Sequence, residues 1–263
     1  MTLEMMFLGG LQLSQDGTSL VDFSSEKGKA LLCYLAVTGQ PHSRASLAGL
    51  LWPESPEANA RASLRKVLTE IRKKAPPCLN STRQTVAIDP DASTWVDVIQ
   101  FERSVTVAAD IDGLQEAVAL YQGDFLERFL LPDAPAFDRW ALRQRARLRQ
   151  MAVEALHTLA THFAERQDYN TAGSYARQLL DIEPWHEETH RELMRLLALS
   201  GQRSAALAQY ELCCRLLADE LGIEPAAATV QLYEQIRGEE WSGEVESPPL
   251  PAPPLLRTTC RRR

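Results

Sequence analysis

A spacing of 34 residues constrains this chain more than any other feature of its sequence. Leu159, Ala160, Phe163, Ala172, Ala176 and Leu179 recur as Leu193, Met194, Leu197, Ala206, Tyr210 and Cys213, each pair 34 positions apart. A helix hairpin of that length cannot bury its apolar face alone and must stack on a neighbour, which is the tetratricopeptide arrangement. Small residues at 172 and 206 let paired helices approach closely. Pro184 closes the first copy, whereas Pro225 arrives 41 residues later, after the turn Glu220-Leu221-Gly222. Leu232, Tyr233 and Ile236 mark a last helix. Two copies are few, so the preceding helices are expected to complete the stack. These are Phe101–Ala109, Asp112–Tyr121 and a long stretch over 135–166, with Trp140, Leu142, Leu148, Met151, Leu156, Leu159 and Phe163 as its candidate core.

The first 97 residues have a different grammar. Apolar bursts at Leu3–Leu8, Leu11–Leu13 and Leu20–Phe23 are separated by Gly9-Gly10 and Asp16-Gly17, which is turn chemistry. They predict a small antiparallel sheet. Ser24 or Ser25 caps a helix from about Glu26 to Val37, ended by Gly39 and Pro41. Ser43 caps a short helix from Arg44 to Leu51, and Trp52-Pro53 closes it. A longer helix then runs from about Glu57 to Lys74. Ala60, Leu64, Val67, Leu68, Ile71 and Ala75 give it one buried stripe at spacings of 3 and 4. Pro76-Pro77 stops it, and Thr85–Ile88 with its neighbours predicts a hairpin between Asn80 and Asp89-Pro90.

Sheet, helix, short helix, tight connection, basic helix and hairpin is the order of a winged helix-turn-helix. In that fold the third helix lies in the major groove and the wing meets the backbone. The net charge of −7 argues against a nucleic-acid partner only as an average. Residues 61–83 hold seven basic side chains against the single acid Glu70, and a local surplus matters more to a polyanion than the sum. Arg61, Arg65, Lys66, Thr69, Arg72 and Lys73 avoid the apolar stripe. Arginine forks grip guanine edges, and lysines neutralise phosphates. Arg61, Arg65 and Thr69 are therefore the expected base-edge contacts. Lys66, Arg72, Lys73, Ser43, Arg44 and Arg83 are the expected phosphate contacts, Arg83 from the wing. Arg72, Lys73 and Lys74 also complement the macrodipole at the helix C-terminus.

Other classes are poorly supported. No apolar run approaches the ~20 residues that span a bilayer, and no basic residue precedes the apolar N-terminus as in a signal peptide. The five cysteines, at 33, 78, 213, 214 and 260, are scattered and odd in number, as in reduced cytoplasmic proteins. No P-loop, dinucleotide fingerprint, nucleophile elbow or C-x-x-C pair is present. His186-Glu187-Glu188-Thr189-His190 spells the H-E-x-x-H of zinc hydrolases, in which two histidines a turn apart bind zinc and the glutamate is the base. The extension carrying a third ligand is missing: Leu193 stands where its glycine would, and only distant Glu211 or Glu220 is left to propose. Just after Pro184, at the start of a repeat helix, the two acids fit a helix N-terminus. No metal, cofactor or catalytic residue is expected. The competing readings are a tetratricopeptide-like protein-interaction module with a structural winged domain and, more remotely, the zinc hydrolase.

Particular residues carry a family resemblance. Glu26-Lys27-Gly28-Lys29-Ala30-Leu31-Leu32, Ser43-Arg44-x-x-Leu47-x-x-Leu50-Leu51-Trp52-Pro53, Ala58-x-x-Arg61-x-Ser63-Leu64 and Ile71-Arg72 resemble the OmpR-type winged-helix domain of SARP-type antibiotic regulatory activators. Tyr121-x-Gly123-Asp124-Phe125-Leu126, Trp140, His186-Glu187-Glu188, Gly201-x-x-x-x-Ala206-Leu207-x-x-Tyr210 and Leu217-x-x-Glu220-Leu221-Gly222-x-x-Pro225 resemble the bacterial transcriptional activator domain that follows it. The resemblance implies an α+β winged helix-turn-helix domain over 1–97 and an all-α tetratricopeptide-like domain over 98–240. A proline-rich linker or tail over 241–263 completes the chain. It further implies a non-enzymatic, cytoplasmic, sequence-specific activator that binds double-stranded DNA at direct repeats as a homodimer or higher assembly. RNA polymerase or another transcription component is the second implied partner. Longer relatives continue past such a linker into a nucleotide-binding ATPase module, where this chain stops. No receiver domain precedes the winged helix, so control by aspartyl phosphorylation on this chain is not expected.

Overall fold

The computed structural model describes residues 2–20, 25–75, 77–108 and 110–238. Residues 21–23 of the third apolar burst, the candidate cap Ser24, Ala109 and the tail from 239 onward lie outside them. The chain divides into two compact units, Met1–Ala155 and Leu156–Arg263.

In the first unit, strands β1 (Leu3–Met6), β2 (Gln12–Gln15), β3 (Thr18–Ser19) and β7 (Thr94–Val96) form a sheet of order β3-β2-β1-β7. Leu3 and Met5 are buried, and Met6 points outward, the alternation of a half-buried strand. Asp16 and Gly17 both have positive φ, 47° and 78°, as a two-residue hairpin turn between β2 and β3 requires. The sheet is not purely antiparallel as the sequence suggests. β7 adds to β1 in parallel, Leu3 opposite Thr94.

Helix α1 (Glu26–Thr38) has Ser25 at its N-cap without a side-chain capping bond and ends at Gly39 in the left-handed region. Next come β4 (His42–Ser43), α2 (Arg44–Leu51), α3 (Glu57–Lys74), β5 (Leu79–Ser81) and β6 (Thr85–Ile88). The hairpin β5–β6 is joined by β4 into a second sheet of order β4-β6-β5. This is the winged helix-turn-helix.

The first unit does not stop there. Helix α4 (Asp97–Arg103) begins earlier than the periodicity implies and passes into a π-helical turn (Ser104–Ala108), followed by α5 (Ile111–Leu120) and α6 (Pro135–Glu165). The buried Asp97 carboxylate accepts the N–H groups of Phe7 and Leu8 at 2.7 and 2.8 Å, and that of Val98 at 2.7 Å. Burial pushes this carboxyl above its usual range, and the same N–H donors pull against that. Segment 123–126 lies along the end of β1: Gly9 N–H donates to Asp124 O and Leu126 N–H to Phe7 O, at 3.1 and 2.8 Å. A Cβ on Gly123 (φ 154°) would sit 3.0 Å from Gly9 Cα, so only glycine permits this approach. Phe125 is fully buried, edge-on to both Phe7 and Trp140. Leu142, expected in the core, is 55% exposed. It lies two positions past Trp140, on the far side of the helix.

The second unit is the repeat. It holds the end of α6, then α7 (Tyr169–Ile182), α8 (Glu187–Leu199), α9 (Arg203–Leu216) with a π-helical turn (Leu217–Leu221), and α10 (Ala227–Arg237). Helix α9 starts and ends 34 residues after α7, and α8 ends 34 residues after α6. The turns repeat too. Gln167 and Gly201, again 34 apart, both adopt positive φ. The bond Asp168 N–H to Phe163 O has its counterpart in Gln202 N–H to Leu197 O. Ala172, Ala176, Leu193, Met194, Leu197, Ala206, Leu232 and Ile236 share one core.

Candidate nucleic-acid interface

The sequence of α2 and α3 sets their ends and faces. Ser43 Oγ accepts the N–H of Ser46 at 3.0 Å and so caps α2. The α3 residues Ala60, Leu64, Val67, Leu68 and Ile71 are buried, so the helix is fixed in rotation. Every expected contact residue on α3 is then turned outward: Arg61, Arg65, Lys66, Thr69, Arg72 and Lys73 are all exposed. On the 3.6-residue period Arg61, Arg65 and Arg72 form one row, and Lys66 and Lys73 a second. Thr69 lies between the rows, opposite the buried stripe, with the small residues Ala58 and Ala62 on the same line towards the N-terminus. Arg65, Lys66, Thr69, Glu70, Lys73 and Lys74 line an open depression of about 480 Å³.

The cations differ in how they are used. Arg61 is ion-paired with Glu57, and Lys74 with Glu70 at 3.2 Å. Arg65, Lys66, Arg72, Lys73 and Arg83 make no ion pair among the described residues. The Thr69 hydroxyl donates to Arg65 O at 2.9 Å, which leaves its oxygen free to accept.

The hairpin is a wing with a defined tip. Thr82 Oγ1 accepts the N–H groups of Gln84 and Thr85 at 3.1 and 2.9 Å, which folds the turn locally. Arg83 is exposed at that tip. Sequence reasoning missed Thr82, although a threonine opening a turn is a readable signal. Ser43 and Arg44, also expected on phosphates, make hydrogen bonds within the fold. Ser43 Oγ caps α2 and lies 2.8 Å from Ser46 Oγ. The half-buried Arg44 points its guanidinium at the turn, with Nε donating to Thr82 O at 2.9 Å and Nη2 to Ser81 Oγ at 2.8 Å. Behind the helix-turn-helix, Lys27 lies 5.2 Å over the Trp52 ring and pairs with Asp133 at 2.5 Å. His42 packs against Tyr34 and shares a 2.8 Å hydrogen bond with Thr38. Burial lowers the pKa of its imidazole.

The H-E-x-x-H segment is engaged in structure. His186 is the N-cap of α8 and accepts from Thr189 N–H. His190 is buried, its Nε2 2.8 Å from Pro184 O and its Nδ1 2.6 Å from Gln209 Nε2. Desolvation lowers the pKa of its ring. Glu187 accepts the N–H of Ala226 at 2.7 Å and the Thr229 hydroxyl. Both imidazoles and the carboxylate thus fasten helices. Among the described residues no group of three or more His, Cys, Asp or Glu side chains is gathered as a metal ion would require. Nor is any helix there long and apolar enough to cross a membrane.

A winged helix-turn-helix with a free cationic face, followed by stacked helix hairpins, defines the class: a winged-helix protein carrying a tetratricopeptide-like domain. Residues 97–237 match the family described as bacterial transcriptional activator domain, and the chain belongs to that family. It is 28% identical over 240 residues to the regulatory protein AfsR of Streptomyces coelicolor, covering 87% of this chain and 24% of the relative. The transcriptional regulatory protein MoaR1 of Mycobacterium tuberculosis is 24% identical over 245 residues, 87% of this chain and 77% of the relative. The fold is similar to that of Mycobacterium tuberculosis EmbR, solved in complex with a low affinity phosphopeptide. There the TM-score is 0.58 at 24% identity, with 89% of this chain and 65% of that one covered. The chain spans about a quarter of the length of the AfsR relatives.

Proposed function

We propose that the protein is a sequence-specific DNA-binding transcriptional regulator acting as an activator. One observation carries this reading: α3 is locked in rotation by its buried stripe and presents Arg65, Lys66, Arg72 and Lys73, unpaired, beside a structured wing. Unpaired cations on a rigid helix face release counterions when they meet phosphates, which drives binding to duplex DNA. Arg61, Arg65 and Thr69 read base edges, while Lys66, Arg72, Lys73, Ser43 at the start of α2 and the wing residue Arg83 hold phosphates. Residues 1–97 form the reading domain, 98–240 the activator domain and 241–263 a linker or tail. The activator domain assembles two copies on DNA repeats and contacts RNA polymerase or another transcription component. The protein works in the cytoplasm.

The test is selection of genomic fragments by the purified protein at near-physiological salt with excess nonspecific competitor. Recovery of a short motif repeated at helical-turn spacing is the expected result. Random fragments lost on a modest rise in salt would refute sequence reading. Arg65→Ala should weaken specific binding by about 1–3 kcal/mol, the worth of one bidentate base contact, and nonspecific binding much less. Equal losses on both DNAs would remove Arg65 from the base-reading set.

A further inference from the structure

We propose that Arg44 is a positioning residue that clamps the wing, and that its charge is not itself a DNA contact. The inference rests on the DNA-binding reading above. Arg44 opens α2, directly after the capping residue Ser43. From there it reaches the hairpin turn three times. Its backbone N–H donates to Gln84 O at 2.9 Å. Its Nε donates to Thr82 O at 2.9 Å, and its Nη2 to Ser81 Oγ at 2.8 Å. The three acceptors bracket Arg83, the one residue of the turn from Ser81 to Gln84 that Arg44 does not touch and the one whose side chain carries charge. Strand pairing supplies the base of the clamp, with His42 opposite Val86 and Ser43 opposite Thr85.

A guanidinium is suited to this role because its planar fork directs several N–H bonds at fixed angles. An ammonium carries the same charge without the fork. The hairpin turn is short and its tip exposed; the hydrogen bonds through Thr82 fold the turn, and the pairing of β4 with β6 holds its base. Arg44 ties the turn to the N-terminus of α2, the first helix of the helix-turn-helix. The wing and the reading helix α3 are thereby set against one another before DNA arrives, and less ordering remains to be done on binding.

The charge-conserving variant separates positioning from contact. Each phosphate contact contributes about one unit to the slope of log affinity against log salt. Arg83→Ala is expected to flatten that slope by about one. Arg44→Lys keeps its charge but loses the fork, and is expected to flatten it by a similar amount. The double variant Arg44→Lys/Arg83→Ala should add little to either. A wild-type slope for Arg44→Lys, or additive losses in the double variant, would overturn the clamp and restore Arg44 as a phosphate contact. The free protein gives a second readout that needs no DNA. Amide hydrogen exchange over residues 79–88 should quicken at least about tenfold in Arg44→Lys and less in Ser81→Ala, which removes one acceptor, with α3 unchanged. Unchanged exchange in Arg44→Lys would overturn the clamp even if the wild-type protein bound no DNA. Absence of DNA binding by the wild type, with exchange quickened as expected, would overturn the DNA reading and leave the clamp standing.

Discussion

The charges around α10 and those on α3 are used in opposite ways. Around α10 the ionic side chains are consumed by the fold. Glu187 takes the N–H of Ala226 at the start of α10, and Arg203 donates to the carbonyls of Ile236, Arg237 and Gly238 at its end. An acid at the N-terminus and a base at the C-terminus also suit the macrodipole of α10. Arg191 is only 17% exposed and bonds Thr229 and Glu188. In the winged unit the cations of α3 stand out in solvent, four of them without an ion pair among the described residues. Charge count does not separate the two surfaces. A satisfied charge holds a helix in place, whereas an unsatisfied one on a rigid face awaits a ligand.

The largest effect expected is on the first unit, and it tests where that unit ends. Phe125 comes from the activator-family segment yet is buried against Phe7 beside β1 and against Trp140. Phe125→Ala should cost about 3–5 kcal/mol, as for other large buried aromatics. It should also expose the amides of residues 3–15 to exchange. Wild-type protection of that strand pair in the variant would show that the winged fold stands without this segment.

The next effect falls on the repeat unit. Glu187→Ala leaves the buried Thr229 hydroxyl and the Ala226 N–H without their acceptor. The buried hydroxyl left unmet costs about 1–3 kcal/mol, so exchange over α10 should quicken. The salt dependence of DNA binding should be untouched. A changed slope with intact α10 would mean that this acid acts on the DNA face, and the contrast between α10 and α3 would fail.

Local signals were legible and distant ones were not. The 34-residue period located α7 and α9, because each repeat closes its own turn with the same backbone bonds. It works even where Gln167 replaces the glycine found at 201. The stripe from Ala60 to Ile71 fixed the outward face of α3, since helical spacing and burial agree there. The parallel partner of β1 was hidden, because β7 lies some 90 residues away and its three residues Thr94–Val96 carry no pattern of their own. Gly9 reads as an ordinary turn glycine and Gly123 only as part of a family motif, and their close approach exists only in the fold. Ser43 and Arg44 looked like surface donors, and only the hairpin's position shows that Arg44 is already engaged.

The finest comparison lies within one turn of α3. Lys73 and Lys74 are adjacent, carry the same charge and both line the depression on the helix. Lys74 is paired with Glu70 at 3.2 Å, with only 35% and 20% of the two side chains exposed. Lys73 has no ion pair among the described residues. If free charge is what DNA meets, Lys73→Ala should flatten the salt slope by about one unit and Lys74→Ala by clearly less. Glu70→Gln should steepen it, because it removes the acid paired with Lys74. An exposed pair in water would exert too little hold for this, but the partial burial of this pair reduces screening. Equal slopes for the two alanine variants would mean that proximity to the groove, and not pairing, decides which cations bind.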